Sequence, residues 1–175
     1  VGRKAVRVIV YKGKNKIDTI REQIGKRGNA VGFEGLIDWI NGQLPANEEI
    51  GRAFRSETRM YPEIAIRELV ANAIIHQDFS EKGFPMIEIF SDRIEISNPG
   101  IPLITPQRFI DEYVSRNERL ADVLRRFGMC EEKGSGIDKV IFYNEMYQLP
   151  AVDFIVSEKR TRIMLFSYKD LSKLD

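Results

Sequence analysis

The 175-residue sequence predicts an α/β protein, α+β in its layering: a two-layer sandwich of a mixed, mostly antiparallel sheet with helices on one face. Three observations predict it. Segments that alternate apolar and polar residues are interleaved with segments whose apolar residues recur every three or four positions. Two pairs of alternating segments, within 85–97 and 153–168, are joined by short turns and read as hairpins. The composition, 43% hydrophobic and 30% charged, is that of a globular unit with enough apolar surface to bury a core.

The elements follow in order. "AVRVIVYKG" reads as a strand with Val6, Val8 and Val10 on one side. "VGFEGLIDWINGQL" sets Phe33, Ile37, Ile40 and Leu44 at helical spacing, and Pro45 stops the helix. "EEIGRAFRSETRMYP" reads as an extended segment up to Pro62, which opens a helix running to about Gln77. In "PMIEIFSDRIEIS", Ile87 and Ile89 precede a Ser91–Asp92 turn, and Ile94 and Ile96 follow it. "NPGIPLITP" is a loop, after which Thr105 and Pro106 suit a helix cap and first turn. "ERLADVLRRFG" is a helix closed by Gly128, and "EKGSGIDKVIFYNEMY" is a glycine-rich turn running into another. "DFIVSE" and "TRIMLFSY" make the last hairpin. Residues 1–59 are expected as a connecting segment, strand plus helix, packed on a core formed by 60–175.

Several function classes drop out. No apolar run approaches the ~20 residues of a membrane-spanning helix, and no secretory leader is visible. Cys130 is the only cysteine, which excludes an internal disulfide and fits a reducing cytoplasm. One cysteine and one histidine do not make a structural zinc site. The chain opens on Val1 rather than Met and so reads as a piece of a longer protein. The net charge of +1 hides an asymmetry. Residues 1–30 carry nine basic side chains against Asp18 and Glu22, a net +7; the remainder holds 18 basic and 24 acidic residues, a net −6. A basic end could lie near nucleic acid, but without interleaved aromatics it reads first as a solvated strand and helix.

The chemistry begins with "ELVANAIIHQDFS". Residues four apart share a helix face, so Glu68, Asn72 and His76 form one polar stripe while Leu69, Val70, Ala73 and Ile74 cover the packing faces. The stripe is either the solvent side of the helix or the wall of a site. In "DRIEISNPG", Asn98 shares strand parity with Ile94 and Ile96 and is aimed at the helix-covered face, where a polar amide needs partners. Gly100 lets the backbone approach whatever lies in the crevice. In "KGSGI", Gly134 and Gly136 precede a helix, whose free N–H groups attract anions, and Lys133 stands beside them.

Taken in this order, the motifs resemble the GHKL (Bergerat-fold) ATP-binding fold of gyrase, histidine kinases and MutL. "YPEIAIRELVANAIIHQDFS", "DRIEISNPGIP" and "RNERLADVLRRFGMCEEKGSGI" are closest to the ATP-binding domain of RecG-related proteins, a group named as transcriptional regulators or ATP-dependent DNA helicases. In that group the domain follows an AlbA/Schlafen-like DNA-binding domain. The resemblance implies ATP and Mg²⁺ as cofactors, with Asn72 as the metal ligand and Glu68 as the residue that polarises the attacking water. It implies that Asn98 and Gly100 form the adenine box and that Gly134, Ser135 and Gly136 form the phosphate box. Residues 101–133 are the expected lid, with Arg116 and Lys133 as phosphate partners. Many kinase members carry Asn where Glu68 stands, so Glu68 leans towards hydrolysis.

Two departures stand out. The adenine position normally holds Asp, and Asn98 accepts more weakly without charge, so Asp there is expected to tighten binding. A one-residue gap would align Ser97 with that Asp instead, though strand parity favours Asn98. Pro102 also stands where a second glycine is expected. His76 reads as a capping or packing residue, Asp78 as fixing the next turn, and Cys130 as a small buried apolar residue. Arg125 and Arg126 read as a solvated face.

The reading is an ATP-binding module of a DNA-associated regulator, reaching DNA through a neighbouring domain and able to pair with copies of itself. The alternative is a non-hydrolysing domain that serves as a structural or dimerisation platform. No GxxxxGK[ST] phosphate loop occurs, so nothing supports a helicase motor.

Overall fold

Alternation and helical spacing are realised along the chain much as the apolar pattern requires. The computed structural model describes residues 5–44, 46–50, 55–109, 114–131 and 135–167, with 46–50 and 55–59 described by backbone alone. The strands are β1 (Arg7–Tyr11), β2 (Thr19–Ile24), β3 (Ala46–Ile50), β4 (Arg55–Arg59), β5 (Met86–Ile89), β6 (Arg93–Pro99), β7 (Asp153–Val156) and β8 (Arg160–Phe166). The helices are α1 (Phe33–Gln43), α2 (Glu63–Ile75), α3 (Glu118–Arg126) and α4 (Gly136–Met146). Thr105 and Pro106 open only a short 3₁₀ turn over Pro106–Arg108.

Six strands form one sheet in the order β2-β1-β5-β6-β8-β7, and β3 and β4 pair apart from it as an antiparallel hairpin. Only β1 and β5 run parallel within the main sheet, so it is mixed and mostly antiparallel. The Ser91–Asp92 turn sets Ile87 opposite Ile96 and Ile89 opposite Ile94, which places all four on one face. Val6, Val8 and Val10 join them, and Ile163 and Leu165 of β8 extend the same apolar surface. Both β1 and β2, from the first 24 residues, are therefore strands of the sheet that holds β5 to β8.

The helices cover this face. Phe33, Ile37 and Ile40 of α1, Ala121 and Leu124 of α3, and Val140 of α4 are buried against it. Helix α2 lies deepest, with Ala65, Ile66, Leu69, Val70, Ala71 and Ile74 all without solvent exposure. At ~1.5–3 kcal/mol for each fully buried large aliphatic side chain, α2 is the element that most anchors the helical layer. The opposite face carries the small cluster Ile9, Tyr11 and Phe90 beside two buried carboxylates. Glu88 accepts from Tyr11 Oη at 3.1 Å and Lys16 Nζ at 2.9 Å, and Glu95 accepts from Arg93 Nε at 2.8 Å. Among the described residues, no helix is long and apolar enough to cross a membrane.

Candidate functional site

The polar stripe of α2 does not face solvent. Glu68 is only 3% exposed, and Glu68, Asn72 and His76 line a crevice bounded by α2, α4, β6 and β8. Its empty space is about 950 Å³, counting the part open to solvent. The remaining walls are largely apolar, with Leu103, Ile104, Phe109 and Val114 contributed by the segment expected as the lid. Of the two alternatives that helix periodicity leaves open, the stripe lines a crevice rather than the solvent side of the helix.

At one end of the crevice, α4 begins against α2. A Cβ placed on Gly136 would stand 2.7 Å from Glu68 Oε2 and 3.8 Å from Asn72 Nδ2, so a glycine there allows the first turn of α4 to sit on the carboxylate. Ser135 is the N-cap residue of that helix, while Lys133 and Gly134 lie outside the described residues. The start of α4 thus stands beside Asn72, and a helix start carries the positive end of the helix dipole. Glu68 Oε1 accepts from the Glu131 N–H at 3.0 Å. Burial pushes the Glu68 pKa up to about 7, against the pull of that hydrogen bond and of the Lys139 and Arg67 charges. A carboxyl poised near neutrality can act as a general base.

At the other end stands Asn98, 7% exposed, whose side chain lines the crevice. Its Nδ2 donates to His76 O at 3.3 Å and to Pro99 O at 3.2 Å, which leaves Oδ1 as the acceptor. Ser97 lies on the opposite face of the sheet, where its Oγ accepts from Arg160 Nη2 at 3.0 Å. Strand parity therefore selects the residue that meets the crevice. Thr161, directly across from Asn98 on β8, also lines the wall and donates from Oγ1 to Gly100 O at 2.9 Å. The sequence reading missed Thr161, because nothing in a single strand reveals which residue will stand opposite it.

Two of the expected residues stand away from the crevice wall. Gly100 is not part of the crevice wall. Its φ is +103°, and a Cβ there would lie 2.8 Å from Asp78 Cβ, so what approaches it is the connection after α2. Arg116 does not line the crevice either. Its Nη1 bonds Asp78 Oδ2 at 3.2 Å and its Nη2 bonds Ile101 O at 2.8 Å, which commits the guanidinium to protein partners. The arginine on the wall is Arg125, expected at a solvated face but only 14% exposed and ion-paired with Asp122. Helix spacing alone does not say which face of α3 turns inward.

The supporting residues are closer to expectation. Asp78 fixes the following turn, its Oδ1 accepting from the Ser80 N–H at 2.9 Å. His76 is the C-cap residue of α2, and burial, then the charge of Arg116, pushes its pKa down to about 4, so the ring is neutral near pH 7. Cys130 is half-buried on the crevice wall, and burial pushes its thiol up to about 11. Among the described residues, no group of three or more His, Cys, Asp or Glu could hold a metal ion. A hard cation here would need oxygens from a ligand besides Asn72.

Comparison with known proteins agrees with this picture. Residues 83–165 match the family described as "Putative ATP-dependent DNA helicase recG C-terminal". Asn98, Arg116, Ser135 and Gly136 fall within the matched stretch, and Glu68 and Asn72 lie upstream of it. Among solved structures, the chain is similar to the DIP2311 protein from Corynebacterium diphtheriae, with a TM-score of 0.84 at 17% identity. The likeness covers 94% of this chain and 35% of that one, so the chain spans about a third of that protein's length. At this identity the likeness is one of fold. No curated protein matches.

Proposed function

We propose, from the premise that residues 83–165 form an ATPase-like domain related to the RecG C-terminus, that this chain binds ATP in the α2–α4–β6–β8 crevice. One observation carries the reading. The crevice gathers an oriented amide acceptor at one end, apolar walls between, and a helix start with Asn72 and Glu68 at the other. An adenine ring suits the apolar middle, with its exocyclic amine donating to Asn98 Oδ1. The phosphates suit the start of α4, where backbone N–H groups and the helix dipole favour negative charge. Both groups therefore fit the residues present.

Bound Mg²⁺ supplies Lewis-acid stabilisation of the charge on the phosphates, and Asn72 is the side chain that would hold it. Glu68 would orient a water and take its proton. Its elevated pKa and its place beside Gly136 support that role. Binding without turnover is a second reading, favoured by the hydrogen bond that Glu131 already makes to Glu68 Oε1. In either case the module is one part of a longer DNA-associated regulator, with DNA contacted through a neighbouring domain and copies able to pair.

Calorimetric titration with ATP and ADP, with and without Mg²⁺, tests the reading beside thermal melting. A ligand that binds the native state raises the melting temperature by mass action. ATP should bind and raise it, and Asn72→Ala should remove the Mg²⁺-dependent part with little loss of folding stability. No heat and no shift at millimolar ATP would leave the platform function.

A further inference from the structure

Helix α2 ends in a way its own sequence does not explain. The last carbonyls of a helix have no intrahelical partner, and here three consecutive carbonyls, those of Ile75, the C-cap residue His76 and Gln77 just past it, are taken by side chains from elsewhere. Asn117 Nδ2 donates to Ile75 O at 2.6 Å and to Gln77 O at 2.8 Å. Asn98 Nδ2 donates to the carbonyl between them, His76 O. Next to Asn117, Arg116 grips Asp78 Oδ2 and Ile101 O. Asp78 in turn donates its N–H to Pro99 O at 2.8 Å and packs its Cβ against Gly100. Residues 116–117 thus hold both chains that fix the Asn98 amide: the α2 terminus, whose His76 O accepts from it, and the Pro99–Ile101 backbone that continues from it.

We propose that Arg116 and Asn117 are positioning residues for base recognition, a clasp that sets the direction of the Asn98 amide without touching the nucleotide. The inference rests on the adenine reading of the crevice and adds to it the part played by the start of α3. An Asn side chain can present either its oxygen or its NH₂ to a ligand. Recognition of an exocyclic amine needs the oxygen, and the oxygen is presented only while Nδ2 is engaged by His76 O and Pro99 O. Loosening the clasp lets those two carbonyls drift and releases the amide to turn. The loss then falls on selectivity for the amine rather than on contacts with phosphate.

The test compares ATP with N6,N6-dimethyl-ATP, which has no exocyclic N–H to donate, by calorimetry on the whole chain with and without Mg²⁺. Wild-type protein should prefer ATP by about tenfold, the order of one buried hydrogen bond. Arg116→Gln and Asn117→Ala should each bring that ratio close to one, and Arg116→Lys, which keeps the charge facing Asp78, should restore most of it. Adenosine should lose affinity in Arg116→Gln by the same factor as ATP. Loss confined to ATP, with adenosine unaffected, would make Arg116 a phosphate ligand and overturn the clasp. An equal drop for ATP and its dimethyl analogue, leaving the ratio at its wild-type value, would mark a merely structural role and overturn it too. A wild-type chain that binds neither nucleotide overturns both the clasp and the reading it rests on, whereas intact binding with an unchanged ratio removes the clasp alone.

Discussion

The two ends of the crevice are built on opposite principles. At the Asn98 end the polar groups are tied to protein: Asn98 Nδ2 has two carbonyl partners, Thr161 Oγ1 has Gly100 O, and His76 is neutral. At the Gly136 end a buried carboxyl is held near neutrality, one oxygen on the Glu131 N–H and the other against the start of a helix. The first arrangement fixes geometry and favours recognition of shape and hydrogen-bond pattern. The second stores an electrostatic cost that a reaction can use. Selectivity and turnover should therefore fail separately when each end is altered.

The largest effect is expected at the Gly136 end. Glu68→Gln keeps the size of the side chain and removes its basicity. If Glu68 is a general base, which typically contributes ~10²- to 10⁴-fold, phosphate release at saturating ATP–Mg²⁺ should fall at least roughly tenfold while affinity holds. The wild-type rate should climb with pH through about 7, and the variant should lose that climb. Stability carries the opposite sign. A carboxyl whose folded pKa is raised from 4.5 to about 7 stabilises the fold fully below 4.5, and that contribution is lost as pH rises through 7. Melting temperatures should accordingly favour Glu68→Gln over wild type more at pH 8 than at pH 5. A variant as active as the parent would hand the base to another group.

The Asn98 end should respond first in stability. Gly100→Ala would force a side chain into a φ of +103° and against Asp78 Cβ, so denaturant unfolding should show a loss of about 1–3 kcal/mol. An unaltered midpoint would mean that the Asp78–Gly100 approach relaxes freely.

The smallest effect tests the comparison most sharply. Charge alone predicts that Asn98→Asp tightens binding, but the structure reverses the sign. The position of Nδ2 faces His76 O and Pro99 O, and a carboxylate oxygen placed there would meet two carbonyl oxygens. Asn98→Asp should weaken ATP binding severalfold, by the order of one hydrogen bond made repulsive. Tighter binding in a titration would show that the amide is not held as described.

The apolar period made most of the fold legible. Phe33, Ile37 and Ile40 could be placed on one side of α1, and Ile87, Ile89, Ile94 and Ile96 on one face of a hairpin, because a period of 3.6 or 2 leaves little choice of side. The same logic reached Glu68, Asn72 and Asn98, each by its spacing from apolar neighbours. It could not reach Thr161 or Arg125, which meet the crevice only through strand order and the rotation of α3. Nor could it reach the contacts of Gly100 and Arg116 with Asp78, which lies more than twenty residues upstream.

By itself the sequence determined the periodicities, and hence which residues each helix and strand turns inward, because those follow from backbone geometry one element at a time. Only the tertiary structure decided that the amide of Asn98 is spent on the end of α2, that Gly136 stands on Glu68, and that Arg116 answers Asp78. Those relations join residues 22 and 38 positions apart, or more, and a hydrogen bond or a buried charge depends on the position of both partners at once. Burial sets the Glu68 pKa for the same reason: exclusion of water belongs to the packed assembly of α2 and α4, and no local pattern of residues encodes it.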